Sequence, residues 1–119
     1  MSLKVLVIED DVVFCRLLTK YLNNNQILTK DAQSAAQARE ILAAEQFDFI
    51  ITDYKLPDQD GLSVLEGIKD GPNKNAKTLL MSRFKEDDMV SRARELGVLD
   101  FVQKPIKPNE LLVLLEKLK

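Results

Sequence analysis

Histidine is absent from this 119-residue sequence, and cysteine occurs once, as Cys15. Without histidine the chain lacks the usual general base at neutral pH and the commonest transition-metal ligand. One cysteine closes no internal disulfide, which suits a reducing compartment. With no CxxC or basic context around it, Cys15 reads as a packing residue placed beside the apolar stripe of its helix. Charge of one sign is not in excess: 19 acidic and 17 basic side chains leave a net charge of −2. That balance gives no electrostatic drive toward nucleic acid or an anionic membrane. No apolar run approaches the roughly 20 residues that span a bilayer. The opening, Met1-Ser2-Leu3-Lys4, lacks signal-peptide anatomy, so a cytoplasmic location is expected. Low-complexity tracts, internal repeats and linker-like breaks are also missing, and residues 1–119 are expected to form a single domain. Carboxylates, hydroxyls, lysines and a hard metal ion remain as the means of any chemistry.

What is present is a hydrophobic pattern whose period alternates. Leu3 to Ile8 is a nearly unbroken aliphatic run, the mark of a strand buried on both faces. From Val12, the spacing of Phe14, Leu17, Leu18, Tyr21 and Leu22 predicts a helix that ends at Asn23-Asn24-Asn25. Gln26 to Asp31 reads as a weak strand. Ser34 and Gln37 form a capping-box start for a second helix with Ala38, Ile41 and Leu42 inward. Phe47 to Thr52 is another buried run. Leu62, Leu65 and Ile68 mark a third helix closed by Gly71-Pro72. Lys77 to Ser82 reads as the fourth strand, and Met89, Val90, Ala93 and Leu96 as the stripe of a fourth helix stopped by Gly97. Val98 to Val102 is a short fifth strand. Pro108 starts a last helix with Leu111, Leu114, Leu115 and Leu118 inward. Five β-α units imply right-handed crossovers and a parallel sheet with helices on both faces. Ligands of such sheets bind beyond the carboxyl ends of the strands.

Those ends carry Glu9 and Asp10, Asp53, Ser82 and Lys104. Carboxylates sharing one rim repel one another unless a counter-charge is present. Mg²⁺, which takes one or two carboxylates plus water and phosphate oxygens, supplies it. Lys104 is a mobile point charge suited to an incoming phosphate. The logic is in-line phosphoryl transfer with Asp53 as nucleophile. Asp11 reads instead as a helix cap. Asp58-Gln59-Asp60-Gly61 looks like part of a calcium loop. With Gly61 as position 6, however, position 12 is Gly67 rather than Glu, and a tight turn is the better reading.

The motifs Val7-Ile8-Glu9-Asp10-Asp11, Ile51-Thr52-Asp53-Tyr54-Lys55-Leu56-Pro57-Asp58-Gln59-Asp60-Gly61, Leu80-Met81-Ser82 and Asp100-Phe101-Val102-Gln103-Lys104-Pro105 occur in a familiar order. By them the whole chain resembles the receiver domains of two-component response regulators. The resemblance implies a flavodoxin-like (βα)5 fold with strand order 2-1-3-4-5. It makes Asp53 the phosphoacceptor and Ser82 and Lys104 its catalytic partners, with Ser82 and Phe101 as switch residues. Glu9, Asp10, Asp53 and the Lys55 carbonyl become the Mg²⁺ ligands, and Lys104-Pro105 a candidate cis bond. The implied partner is a sensor histidine kinase or histidine phosphotransfer protein. A homodimer or output domain would dock on the fourth helix, fifth strand and fifth helix, where Leu112 and Val113 flank the inward stripe. Direct contact with nucleic acid or membrane is not expected.

Three residues depart from the family pattern. Arg83 stands where a small residue is usual. Pointing inward it would obstruct the donor or clamp the phosphoryl oxygens; pointing outward it changes little. Lys55 occupies a position tied to hydrolysis rate, and Lys107 stands where a capping residue is expected, so the last helix is expected to fray at its start. The reading is thus a switch that catalyses only its own phosphorylation and dephosphorylation, not an enzyme for external substrates. A phosphohydrolase needs a second acid where Lys55 stands. A flavodoxin-type carrier needs a phosphate-cradling loop where Glu9-Asp10-Asp11 would repel one. The alternative is a degenerate receiver acting as a phosphorylation-independent docking module.

Overall fold

Val5, Leu6, Val7 and Ile8 are all fully buried, as an unbroken aliphatic strand covered on both faces must be. This computed structural model describes residues 3–119; Met1 and Ser2, where the signal-peptide reading began, lie outside the described residues. In chain order the elements are β1 (Lys4–Ile8), α1 (Val12–Asn24), β2 (Leu28–Ala32), α2 (Ala35–Ala44), β3 (Phe49–Asp53), α3 (Gly61–Gly67), β4 (Lys77–Ser82), α4 (Asp87–Glu95), β5 (Asp100–Gln103) and α5 (Pro108–Leu118). The strands form one sheet in the order β2-β1-β3-β4-β5, and every pairing is parallel. This is the flavodoxin-like order expected from the resemblance.

Alternation along the strands divides the core in two. Leu6, Ile8, Ile50 and Leu80 face α2, α3 and α4, where Ala38, Leu42, Leu62, Leu65 and Met89 meet them. Val5, Val7, Phe49, Ile51, Leu79 and Met81 face α1 and α5, meeting Leu18, Leu22, Leu111 and Leu115. Each fully buried leucine or isoleucine contributes roughly 1.5–3 kcal/mol. A core of this size tolerates the cost of burying a few carboxylates at the rim.

The helix ends follow local chemistry. Asp11 Oδ1 accepts the Phe14 N–H at 3.1 Å, the capping role expected of it. Ser34 Oγ accepts the Gln37 N–H, while the Gln37 side chain turns to the Gln33 N–H and leaves the capping box half closed. Gly97 sits at φ +78°, a left-handed stop after α4. Lys107 lacks a capping oxygen, yet α5 does not begin unsupported. Glu110 Oε1 accepts the Lys107 N–H at 3.1 Å, and Pro108 presets the first turn.

The structure corrects the phase of α1. Cys15 is fully buried in the inward stripe with Leu18 and Leu22, whereas Leu17 is 54 % exposed. The thiol hydrogen-bonds weakly toward the Val7 carbonyl, and burial pushes its pKa up to about 11, so it packs as an inert apolar group. β2 begins two residues later than its sequence suggests and β5 begins at Asp100. The Lys104-Pro105 peptide is cis. No helix among the described residues is long and apolar enough to cross a membrane.

Candidate functional site

Register brings the site together. Ile8 lies opposite Thr52, so the residues that follow, Glu9 and Asp53, leave the sheet side by side. On the other side of β3, Asp53 pairs with Met81, and Ser82 of β4 pairs with Gln103, which precedes Lys104. Neighbouring strands of a parallel sheet end together, and the chain's acidic and basic groups are spaced to meet there.

Glu9, Asp10 and Asp53 each offer a carboxylate oxygen, and these oxygens lie within 4.8 Å of one another. Glu9 is fully buried and Asp53 only 7 % exposed, while Asp10 faces solvent. The Lys104 Nζ lies between the two buried acids, bonded to Glu9 Oε1 and 3.1 Å from Asp53 Oδ2. The ammonium also lies 5.4 Å from the centre of the Phe14 ring. The second Glu9 oxygen accepts the Asp11 N–H at 3.2 Å. Burial disfavours the Lys104 charge, but the Glu9 hydrogen bond and the Asp53 charge outweigh it and hold its pKa above the ordinary lysine value. The Asp10 pKa is raised as well, by burial first and then by its contact with and repulsion from Glu9, so here the charged form is disfavoured. Three carboxylates against one ammonium leave two negative charges uncompensated, and all the donors are oxygen. That donor set fits a hard divalent cation such as Mg²⁺ and does not suit the softer transition metals.

A pocket of about 240 Å³ opens over these groups, lined by Glu9, Asp10, Asp53, Ser82, Lys104 and, at the rim, Arg83 with its neighbours Phe84 and Lys55. Asp53 is therefore buried at the floor of an open cleft. The Ser82 hydroxyl donates to the Phe84 carbonyl at 2.9 Å and so is engaged with its own loop, not with Asp53. The Lys104 backbone N–H donates to the Ser82 carbonyl, tying β4 to the residue that enters the site from β5. Arg83 is exposed and makes no ion pair among the described residues. Phe101 is half-buried against the α4 side of the core, with the Lys85 ammonium 5.6 Å from its ring centre. Leu112 is half-buried and Val113 is 66 % exposed.

The segment after Asp53 folds back over the strand end. Tyr54 donates its N–H to the Met81 carbonyl, the Gly61 N–H donates to the Tyr54 carbonyl, and Lys55 bridges Asp60. A Cβ on Gly61 would stand 2.1 Å from the Asp53 carbonyl oxygen, so only glycine permits this approach. Sequence reasoning missed two further anchors. Asp58 leaves the failed calcium motif to accept the N–H groups of Ala35 and Ala36, and Asp60 pairs with Arg92 of α4 at 3.0 Å. Neither has a sequence signal, because both partners lie more than 20 residues away.

The sequence profile of the response regulator receiver domain matches residues 5–116. Among characterised proteins, the chain is 30 % identical over 111 residues to sporulation initiation phosphotransferase F of Bacillus subtilis, covering 93 % of this chain and 89 % of that one. It is likewise 30 % identical over 108 residues to the response regulator protein PilR of Pseudomonas aeruginosa, covering 91 % of this chain but only 24 % of that protein. Among solved structures, it superposes with a TM-score of 0.85 and 25 % identity on a response regulator protein from Burkholderia pseudomallei with a phosphorylated aspartic acid, calcium ion and citrate, over 94 % of this chain and 65 % of that one.

Proposed function

The chain belongs to the response regulator receiver domain family, and from that premise we propose that it is a phosphoacceptor switch with Asp53 as the residue modified. The observation that carries the reading is the meeting of Glu9, Asp10 and Asp53 within 4.8 Å, beside Lys104. The neighbouring structure that holds a phosphorylated aspartic acid and a calcium ion supports it. Glu9, Asp10, Asp53 and the Lys55 carbonyl would hold Mg²⁺, which when bound neutralises charge on the transferring phosphoryl group. Asp53 attacks the phosphorus of a phosphodonor, a phosphohistidine of a kinase or phosphotransfer partner. The P–N bond breaks as the new P–O bond forms, and the histidine nitrogen leaves with its electron pair. Lys104, already pulled toward Asp53, pairs with the phosphoryl oxygens. Hydrolysis returns the carboxylate, so the chain acts on itself and the partner rather than on a free substrate.

Ser82 is the reader of the modification. Its hydroxyl exchanges the Phe84 carbonyl for a phosphoryl oxygen, a neutral hydrogen bond for a charge-assisted one of about 1.5–3 kcal/mol. Reversing a 1:99 equilibrium takes about 5.5 kcal/mol, so Ser82 needs Lys104 acting with it. The β4–α4 segment follows Ser82, Phe101 turns into the space vacated, and the face of α4, β5 and α5 becomes the output surface. Arg83 is exposed yet lines the same pocket as Asp53, so the docking module stands as the alternative reading and Arg83 is the residue that decides between the two.

Intact-mass spectrometry after incubation with acetyl phosphate and Mg²⁺ tests this function. One phosphoryl-sized gain is expected in the native chain, with none in Asp53→Asn and none when Mg²⁺ is chelated. A native chain that stays unmodified, while Arg83→Ala is modified, would establish the docking module instead.

A further inference from the structure

We infer that Asp58 is a positioning residue for the cation site: by clamping the loop after Asp53 onto the start of α2, it fixes the Lys55 carbonyl in place. The inference rests on the reading of that carbonyl as a cation ligand. The near end of the loop of residues 54–60 is held by the bonds of Tyr54 and Gly61, by the bridge of Lys55 to Asp60 and by the packing of Tyr54 and Leu56 against the core. Its outer turn is joined to the backbone of α2 through one side chain. Asp58 Oδ1 accepts the Ala35 N–H and Oδ2 the Ala36 N–H, both at 2.9 Å, so each oxygen takes one of two consecutive amides. Two bonds from one rigid carboxylate define orientation as well as distance. A second tie joins the same turn to the same helix, from the Arg39 guanidinium to Gln59.

Asp58 takes two of the orphan amides at the start of α2, and it does so from a distant loop rather than from the residue that precedes the helix. α2 has its own cap in Ser34, whose Oγ accepts the Gln37 N–H at 3.1 Å, and Gln37 reaches back to the Gln33 N–H. What Asp58 adds is a link from the helix to a segment 23 residues on, three residues beyond Lys55. Carbonyl ligands have no side-chain rotamer to adjust, so their position is set by the backbone that carries them. Partners bonded directly to a ligating group typically change metal affinity by about 10–100-fold when removed, and Asp58, which acts through the loop, is placed at the lower end of that range.

The two roles separate in a set of variants. Mg²⁺ binding is measured by titration calorimetry, and thermal unfolding is followed without Mg²⁺, for the native chain, Asp58→Ala, Asp58→Asn and Ser34→Ala. Asp58→Ala is expected to weaken Mg²⁺ binding by about 10-fold, with Asp58→Asn, which offers one acceptor in place of two, falling between. Ser34→Ala is expected to lower the unfolding temperature while leaving Mg²⁺ affinity within about twofold of native, because it weakens the helix start without freeing the loop. Native-like affinity in both Asp58 variants overturns the inference, as does a loss in Ser34→Ala equal to that in Asp58→Ala. A native chain that binds no Mg²⁺ overturns the cation reading itself and this inference with it.

Discussion

Lys104 is the residue whose loss the site tolerates least. Glu9 is fully buried and Asp53 nearly so, and among the described residues this ammonium is the one cation bonded to either. Removing one partner of a buried pair leaves a poorly solvated charge without its counter-ion. Lys104→Ala is therefore expected to destabilise the Mg²⁺-free chain by about 3 kcal/mol in urea denaturation, with part of the loss recovered on adding Mg²⁺. No loss, or a loss indifferent to Mg²⁺, would mean the carboxylates do not share a cation site. At this scale the sequence was informative where chemistry and spacing coincide. Glu9, Asp10, Asp53, Ser82 and Lys104 all end or follow strands, and the structure brings them to one rim. Asp58 and Arg92 were invisible because their partners are fixed by tertiary packing, not by local pattern.

At the scale of elements, strands were easier to read than helix phases. Continuous aliphatic runs leave little choice for β1, β3 and β4. In α1, Phe14, Leu17, Leu18, Tyr21 and Leu22 satisfied helical spacing, but the buried face includes Cys15 and turns Leu17 to solvent. A period fixes the spacing of a stripe, whereas its exact edge depends on the neighbouring α5. The contact between α3 and α4 shows the same dependence. Arg92 of α4 reaches Asp60, which caps α3 through the Ser63 N–H, and also Ser63 and Glu66. Burial opposes ionisation of Asp60, but the Arg92 and Ser63 bonds prevail and lower its pKa below 3.8. A lowered carboxylate contributes stability that is fully present above its unfolded value and lost as pH falls through its folded value. Asp60→Ala is thus expected to cost about 1 kcal/mol at neutral pH, with the deficit narrowing as the pH drops below 3.8. A deficit that does not change with pH, read from denaturant midpoints across that range, would contradict the ion-pair contribution.

Across the whole molecule the account joins one chemical event to one surface. A parallel sheet was legible because strands alternate with helices, whereas its order β2-β1-β3-β4-β5 followed from the resemblance to receiver domains, since right-handed crossovers alone leave several orders open. That order places β4 beside the acidic end of β3 and β5 beyond it, so Ser82 and Phe101 lie on the strands between Asp53 and the α4–β5–α5 face. Hydrogen-exchange mass spectrometry of the chain with and without acetyl phosphate and Mg²⁺ tests the switch most directly. Phosphorylated chain is expected to show altered protection through residues 83–103 and into α5, absent in Asp53→Asn and reduced in Ser82→Ala. Full phosphorylation of Asp53 with exchange unchanged beyond the residues that line its pocket would contradict the account.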